Sequence, residues 1–186
     1  MRLAVRAWAS RGRASRIRAI AAVAAIALAS PGSSVAQADA PPSLPPRLES
    51  VDGRAIDLAA LAADRTVVVV TLKATWCPVC QRQLLRIKQR LGDLEPCQIT
   101  FVVLAPGPAA QLLEIKARTE FPYPFVEDVD LEISRSLGLD MCGGQIAPAI
   151  LMLKPDLTVG WMQRGRSAVY FGDDALVEEV ACWNRV

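Results

Sequence analysis

Residues 66–80 read TVVVVTLKATWCPVC. Thr66 to Ala74 is a β-branched run with no clean polar alternation, the pattern of a strand buried on both faces of a sheet. Trp76-Cys77-Pro78-Val79-Cys80 follows. Gln81 to Leu91 then carries Leu84, Leu85, Ile87 and Leu91 on one broad apolar face, which predicts a helix stopped at Gly92. Pro78 suits the first turn of that helix, where its missing N–H costs nothing. Cys77 therefore falls at a strand-to-helix junction, where unsatisfied first-turn N–H groups and the helix dipole favour a thiolate. Cys80 stands one turn further in, near enough to close a small disulfide ring. In such a pair the first thiolate attacks a partner's disulfide and the second resolves the mixed disulfide.

Other uses of two cysteines at this spacing fit less well. Zinc wants two more ligands, and with no histidine in the chain Cys142 and another cysteine would have to serve. Haem attachment needs histidine after the second cysteine, where Gln81 stands. An inert structural disulfide would sit at a strained, exposed junction.

Outward from this segment, LESVDGRAIDLAAL (48–61) carries a hairpin signal at Asp52-Gly53 and then a short helical turn. Residues 39–46, with four prolines, read as an extended tether outside the core. On the other side, Gln98–Ala105 reads as a second buried strand and Pro108–Arg118 as a helix. Tyr123–Glu127 is a short strand, and Asp130–Leu137 a helix stopped by Gly138. Ala149–Lys154 and Thr158–Arg164 make a hairpin over Pro155-Asp156, and a final helix begins at Asp173. Strands alternating with helices and closed by a hairpin indicate an α/β fold with a mixed sheet.

The first 38 residues are of a different kind. Arg2, Arg6, Arg11, Arg13, Arg16 and Arg18 precede an uncharged Ala-rich stretch, Ala19–Ala29, and small residues ending in Ala36-Gln37-Ala38. A basic head, a short apolar run and an A-x-A site predict a secretory signal peptide cleaved near Ala38 and a periplasmic mature protein. An uncleaved anchor is the competing reading, and eleven apolar residues fall short of the roughly 20 a span needs. The six head arginines leave four more acids than bases in the rest of the chain, so the basic whole-chain balance argues for no nucleic-acid partner. All five cysteines (Cys77, Cys80, Cys97, Cys142 and Cys182) lie beyond the head, where export would let disulfides persist. An odd count leaves at least one thiol unpaired within the chain.

VVVVTLKATWCPVC resembles the active-site segment of thioredoxin-like proteins, and its K-A-T-W-C-P-x-C portion is similar to the exported TlpA/ResA-like branch. VDGRAIDLAAL resembles the β-hairpin and turn that this branch carries ahead of its first core strand. FPYPFVEDVDLEISRSLGL and AILMLKPDLTVGWMQRG resemble the second half of the fold. The resemblance implies a thioredoxin-like fold over 47–186: a central mixed β-sheet flanked by helices, with an N-terminal β-hairpin extension. It also implies Cys77 and Cys80 as the catalytic pair, supported by Trp76, Pro78, Ala147 and Pro148, with Pro148 as a cis-proline that exposes backbone to a substrate strand; Lys73 is a further support candidate from its place near Cys77. Protein thiols and disulfides would be the clients, a membrane thiol reductase the electron donor, and no cofactor is implied.

Three positions depart from that pattern. Lys73 stands where an aromatic residue is usual; it would lower the Cys77 pKa by Coulomb attraction, or it is simply a solvated strand-end lysine. Thr71 stands where thioredoxins carry a buried Asp that assists proton transfer, which leaves the group that deprotonates Cys80 unassigned. Pro78-Val79 replaces the Gly-Pro of thioredoxin, so that protein's reduction potential does not carry over. In this fold the active-site helix and the final helix share a face, which predicts a structural disulfide between Cys97 and Cys182 at the end opposite Cys77. Closing a loop of roughly 85 residues would stabilise by about 4 kcal/mol on the chain-entropy model; two separately buried thiols are the alternative. Cys142, in a Gly-rich loop six residues before Pro148, is a third redox thiol, an attachment point for a client or a plain loop cysteine.

Two other functions compete with disulfide exchange. A thiol peroxidase shares the core fold, but the peroxiredoxin pattern Pro-x-x-x-Thr-x-x-Cys is broken: Thr75 lies two residues before Cys77, not three, and no proline precedes at the required distance. A Cu(I)-binding module would use Cys77 and Cys80, with Cys142 as a candidate third ligand; such soft ligands suit that ion. The copper-handling relatives add a histidine, which this chain lacks.

Overall fold

The computed structural model describes residues 41–165. Its centre is the predicted apolar run, β3 (Thr66–Thr71), which pairs in parallel with β4 (Ile99–Ala105) and antiparallel with β8 (Ala149–Leu153). With β5 (Phe125–Glu127) and β9 (Val159–Arg164) at the edges, the five-stranded mixed sheet runs β5-β4-β3-β8-β9. A two-stranded hairpin, β1 (Arg47–Glu49) and β2 (Ala55–Asp57), turns at Asp52-Gly53 as expected. A second small hairpin, β6 (Asp140–Met141) and β7 (Gln145–Ile146), had no counterpart in the sequence reading. No helix among the described residues is long and apolar enough to cross a membrane.

Period-two alternation sorts the sheet residues into two cores. Val68, Val70, Phe101, Val103, Phe125 and Ile150 face α2 (Pro78–Gln89) and α4 (Ala109–Thr119), whose Leu84, Ile87, Leu112 and Ile115 are at most 1% exposed. Val67, Val69, Val102, Leu104 and Leu151 face the other way, against Leu58 and Ala62 of α1 (Leu58–Asp64). Helices thus flank the sheet on both faces, with α5 (Glu132–Ser136) adding Ile133 to the second core. Asp128 secures α5: its carboxylate accepts from the Ile133 and Ser134 N–H groups and from the Ser134 hydroxyl.

Asp57 caps α1, its Oδ1 accepting from the Ala60 N–H at 3.0 Å. Asp57→Ala is expected to cost about 1 kcal/mol, the usual worth of such a cap. A lowered urea midpoint with an unchanged denaturant slope would be the signature.

Two expectations need correction. The Pro-rich segment is not a tether over its described part. Leu44 is 4% exposed in the second core and its N–H donates to the Leu157 carbonyl; Pro42 accepts from the Val159 N–H, and Ser43 bridges Thr158. Prolines are tolerated there because the segment lies at a sheet edge, where a missing N–H removes no ladder bond. Nor does Gly92 end the first helix. The chain breaks at Arg90 and continues as a short α3 (Leu91–Leu94) and a 3-10 turn, Glu95–Cys97, ahead of β4. The predicted signal peptide and the final helix lie outside the described residues.

Candidate active site

β3 ends at Thr71, and Leu72 to Trp76 lead directly into α2 with Cys77 as its N-cap and Pro78 in its first turn. The helix begins there because Cys77 has extended backbone (φ −77°, ψ 104°) and its Sγ accepts from the Cys80 N–H at 3.4 Å, answering one orphan donor of the first turn. Both thiols are free and buried: Cys77 is 6% exposed and Cys80 1%. Lys73 N–H donates to Cys80 Sγ at 3.4 Å. Burial first, then its hydrogen bond with Cys77, pushes the Cys80 thiol up to about 12.

Trp76 stands 66% exposed beside the pair, with the Lys73 ammonium 5.9 Å from the centre of its ring. The Lys73 ammonium thus rests against the indole, a cation–π contact. The preceding loop is tied to both neighbouring helices, Gln81 Nε2 donating to the Thr75 carbonyl at 3.1 Å and the Thr75 hydroxyl meeting Gln111 Oε1. Neither glutamine carried a sequence signal, since a surface Gln at a helix start is ordinary.

Ala147 and Pro148 come to this end of the sheet, as expected, but the expected cis bond does not. The Ala147–Pro148 peptide is trans, and the cis X-Pro bond among the described residues is Gly107–Pro108. Extended trans backbone turns the polar groups of residues i and i+2 to the same edge. That is why one side chain, Thr71, serves both neighbours of Pro148: its hydroxyl accepts from the Ala149 N–H at 2.6 Å and donates to the Ala147 carbonyl at 2.7 Å.

Cys97 is disulfide-bonded; Cys182, its expected partner, lies outside the described residues. Cys142 carries a free, exposed thiol at the tip of the β6–β7 hairpin, followed by Gly143 and Gly144, both at positive φ. It does not join Cys77 and Cys80 in a three-ligand group, and no cluster of three or more metal-ligating side chains occurs among the described residues. A depression of about 470 Å³ is lined by Arg65, Cys97, Lys154 and Trp161 at the start of β3, a strand's length from the Cys77–Cys80 pair.

The profile of the AhpC/TSA family matches residues 38–162. The chain belongs to the AhpC/TSA family. As an AhpC/TSA protein it is a thiol-based redox enzyme. No curated protein matches it. Among solved structures it is similar to the peroxidoxin BcpB of Mycobacterium tuberculosis at 16% identity and TM-score 0.63, covering 75% of this chain and 92% of that one. It is similar also to a secreted M. tuberculosis disulfide oxidoreductase homologous to E. coli DsbE, at 19% identity and TM-score 0.57, covering 73% and 93%. A reduced 2-Cys peroxiredoxin of Plasmodium vivax aligns at 11% identity and TM-score 0.65, covering 77% and 80%. At these identities the likeness establishes the thioredoxin-like fold alone.

Proposed function

We propose that this AhpC/TSA protein is an exported thiol–disulfide oxidoreductase, with Cys77 as nucleophile and Cys80 as resolver. The observation that carries the reading is the pair itself: two free thiols one turn apart at a helix N-terminus, Cys77 Sγ held by the Cys80 N–H, beside an exposed Trp76. A client disulfide attacked by Cys77 forms a mixed disulfide and releases one client thiolate. Cys80 then attacks Cys77 Sγ, releases the second client thiolate and closes Cys77–Cys80, so two electrons pass to the client.

The family and its peroxiredoxin-like neighbours favour a second reading, a thiol peroxidase. The site speaks against it in either register. Three residues before Cys77 stands Ala74, and three before Cys80 stands Cys77, so no threonine hydroxyl occupies the position the peroxiredoxin pattern requires. Thr75, the nearest, meets Gln111 instead.

Export and a reducing role are parts of the same proposal. The arginine-rich head and Ala19–Ala29 support a periplasmic site, and the TlpA/ResA-like segment supports a reductant fed by a membrane thiol reductase. Titration against glutathione buffers, with cysteine pairing mapped by mass spectrometry, tests the reading. Reversible closure of Cys77–Cys80 is expected, with a midpoint nearer ~ −270 mV for a reductant than the ~ −120 mV of a strong oxidant. Rapid peroxide consumption alongside an inert Cys77–Cys80 pair would replace this reading with the peroxidase.

A further inference from the structure

Backbone register between β3 and β8 ends at Val70↔Ile150. Beyond it a side chain takes over. The Thr71 hydroxyl, 1% exposed, binds the Ala149 N–H and the Ala147 carbonyl, spanning Pro148 on one edge, while the Pro148 carbonyl accepts from the Gly165 N–H at 2.7 Å on the other. Two residues on, the Lys73 peptide continues the same edge: its carbonyl accepts from the Ile146 N–H at 3.1 Å, and its N–H donates to Cys80 Sγ. The segment Ile146–Ala149 and the sulfur of Cys80 are thus held by one short stretch of β3, through Thr71 and Lys73.

We propose that Thr71 is a positioning residue for the resolving step: its hydroxyl docks the Ile146–Ala149 segment and so orients the Lys73 N–H toward Cys80 Sγ. The inference rests on the reading of Cys77 as nucleophile and Cys80 as resolver. Attack by Cys80 needs its sulfur to carry negative charge in a buried place, and a peptide N–H aimed at that sulfur stabilises the charge as it develops. The Lys73 N–H donates to that sulfur at 3.4 Å, with the Ala74 backbone beside it. The Lys73 carbonyl is anchored to Ile146, so loosening Ile146–Ala149 loosens the donor. Attack by Cys77 depends instead on its N-cap position in α2, which Thr71 does not touch.

The test compares Thr71→Val, which keeps the shape and removes the hydroxyl, with Thr71→Ser, which keeps the hydroxyl. The full-length protein, carrying Cys142→Ser throughout to remove the exposed third thiol, is mixed in its reduced form with an aromatic disulfide that releases a coloured thiolate. The first release reports attack by Cys77 and the second reports resolution by Cys80. For Thr71→Val the first release is expected to stay within about threefold of wild type and the second to slow about tenfold, the worth of one hydrogen bond. The mixed disulfide should then be visible by mass spectrometry, and Thr71→Ser should restore the second release. Should Thr71→Val fail to fold, Thr71→Ala provides the same comparison with Thr71→Ser. Equal slowing of both releases, no slowing of the second, or no rescue by serine overturns the inference while leaving the oxidoreductase reading in place. A wild-type protein inert toward the disulfide overturns that reading and the inference with it.

Discussion

Cys77→Ser is expected to abolish disulfide exchange, by at least about 10³-fold, because an alcohol supplies no thiolate at neutral pH. Cys80→Ser should behave differently. Cys77 would still attack, and the mixed disulfide would accumulate for want of a resolver. The two sulfurs differ in environment as well as in order. Burial, and then the hydrogen bond with Cys77, push the Cys80 thiol up to about 12. Raising an acid's pKa favours its neutral form, so at pH 8 the Cys80 thiolate is on the order of one in 10⁴ and grows tenfold per pH unit up to that value. Alkylation of the reduced protein at pH 8, followed by peptide mapping, should therefore label Cys77 and the exposed Cys142 long before Cys80. If Cys80 is labelled first, or if Cys77→Ser keeps exchange activity, the assignment of roles is wrong. The rise toward pH 12 also makes alkaline conditions destabilising: above about pH 9 the unfolded chain sheds the Cys80 proton more readily than the folded one.

Phe101→Ala carries the second large effect. Phe101 is 1% exposed on β4, where it meets Phe121 with ring centres 6.0 Å apart and Tyr123 at 5.1 Å. Phe121 in turn packs edge-on against Phe125 at 6.4 Å. Removing the ring takes away its transfer free energy and leaves a cavity between the sheet and the helices packed on it, a cost of about 3–5 kcal/mol. Domains of this size have only about 5–15 kcal/mol in hand. The melting temperature should fall by more than about 10 °C. Because Cys80, Leu84 and Ile87 share this core, α2 would lose its bed at the same time. A loss under about 1 kcal/mol in urea titration would mean that the site refills and that the aromatic cluster is not what supports α2.

Some of the site was legible in the residues alone because the deciding interactions are local. A β-branched run must be a buried strand wherever it lies, and Pro78 behind Cys77 marks a helix start. Together they put the C-x-x-C pair at a strand-to-helix junction. The turn at Asp52-Gly53 is equally local, since glycine takes the positive φ that the reversal needs. Leu44 was not legible. A leucine between prolines shows no periodicity, and only the approach of the 155–158 turn makes its burial favourable. Cys142 was ambiguous for a similar reason: six residues of chain bring it near Pro148 in sequence, and the β6–β7 hairpin then holds it out in solvent.

Sequence by itself therefore determined where the C-x-x-C pair sits, the strand that leads into it and the helix that carries it, because each depends on neighbours within a turn or a strand. Only the tertiary structure decided what surrounds the pair. Thr71 and Ala147 are 76 residues apart, and no local pattern tells a threonine that ends a strand from one whose hydroxyl clasps both sides of a distant proline. That contact exists because β3 and β8 are antiparallel neighbours in register, a fact of chain topology. The Lys73 carbonyl on the Ile146 N–H is settled in the same way, by which elements the fold brings together.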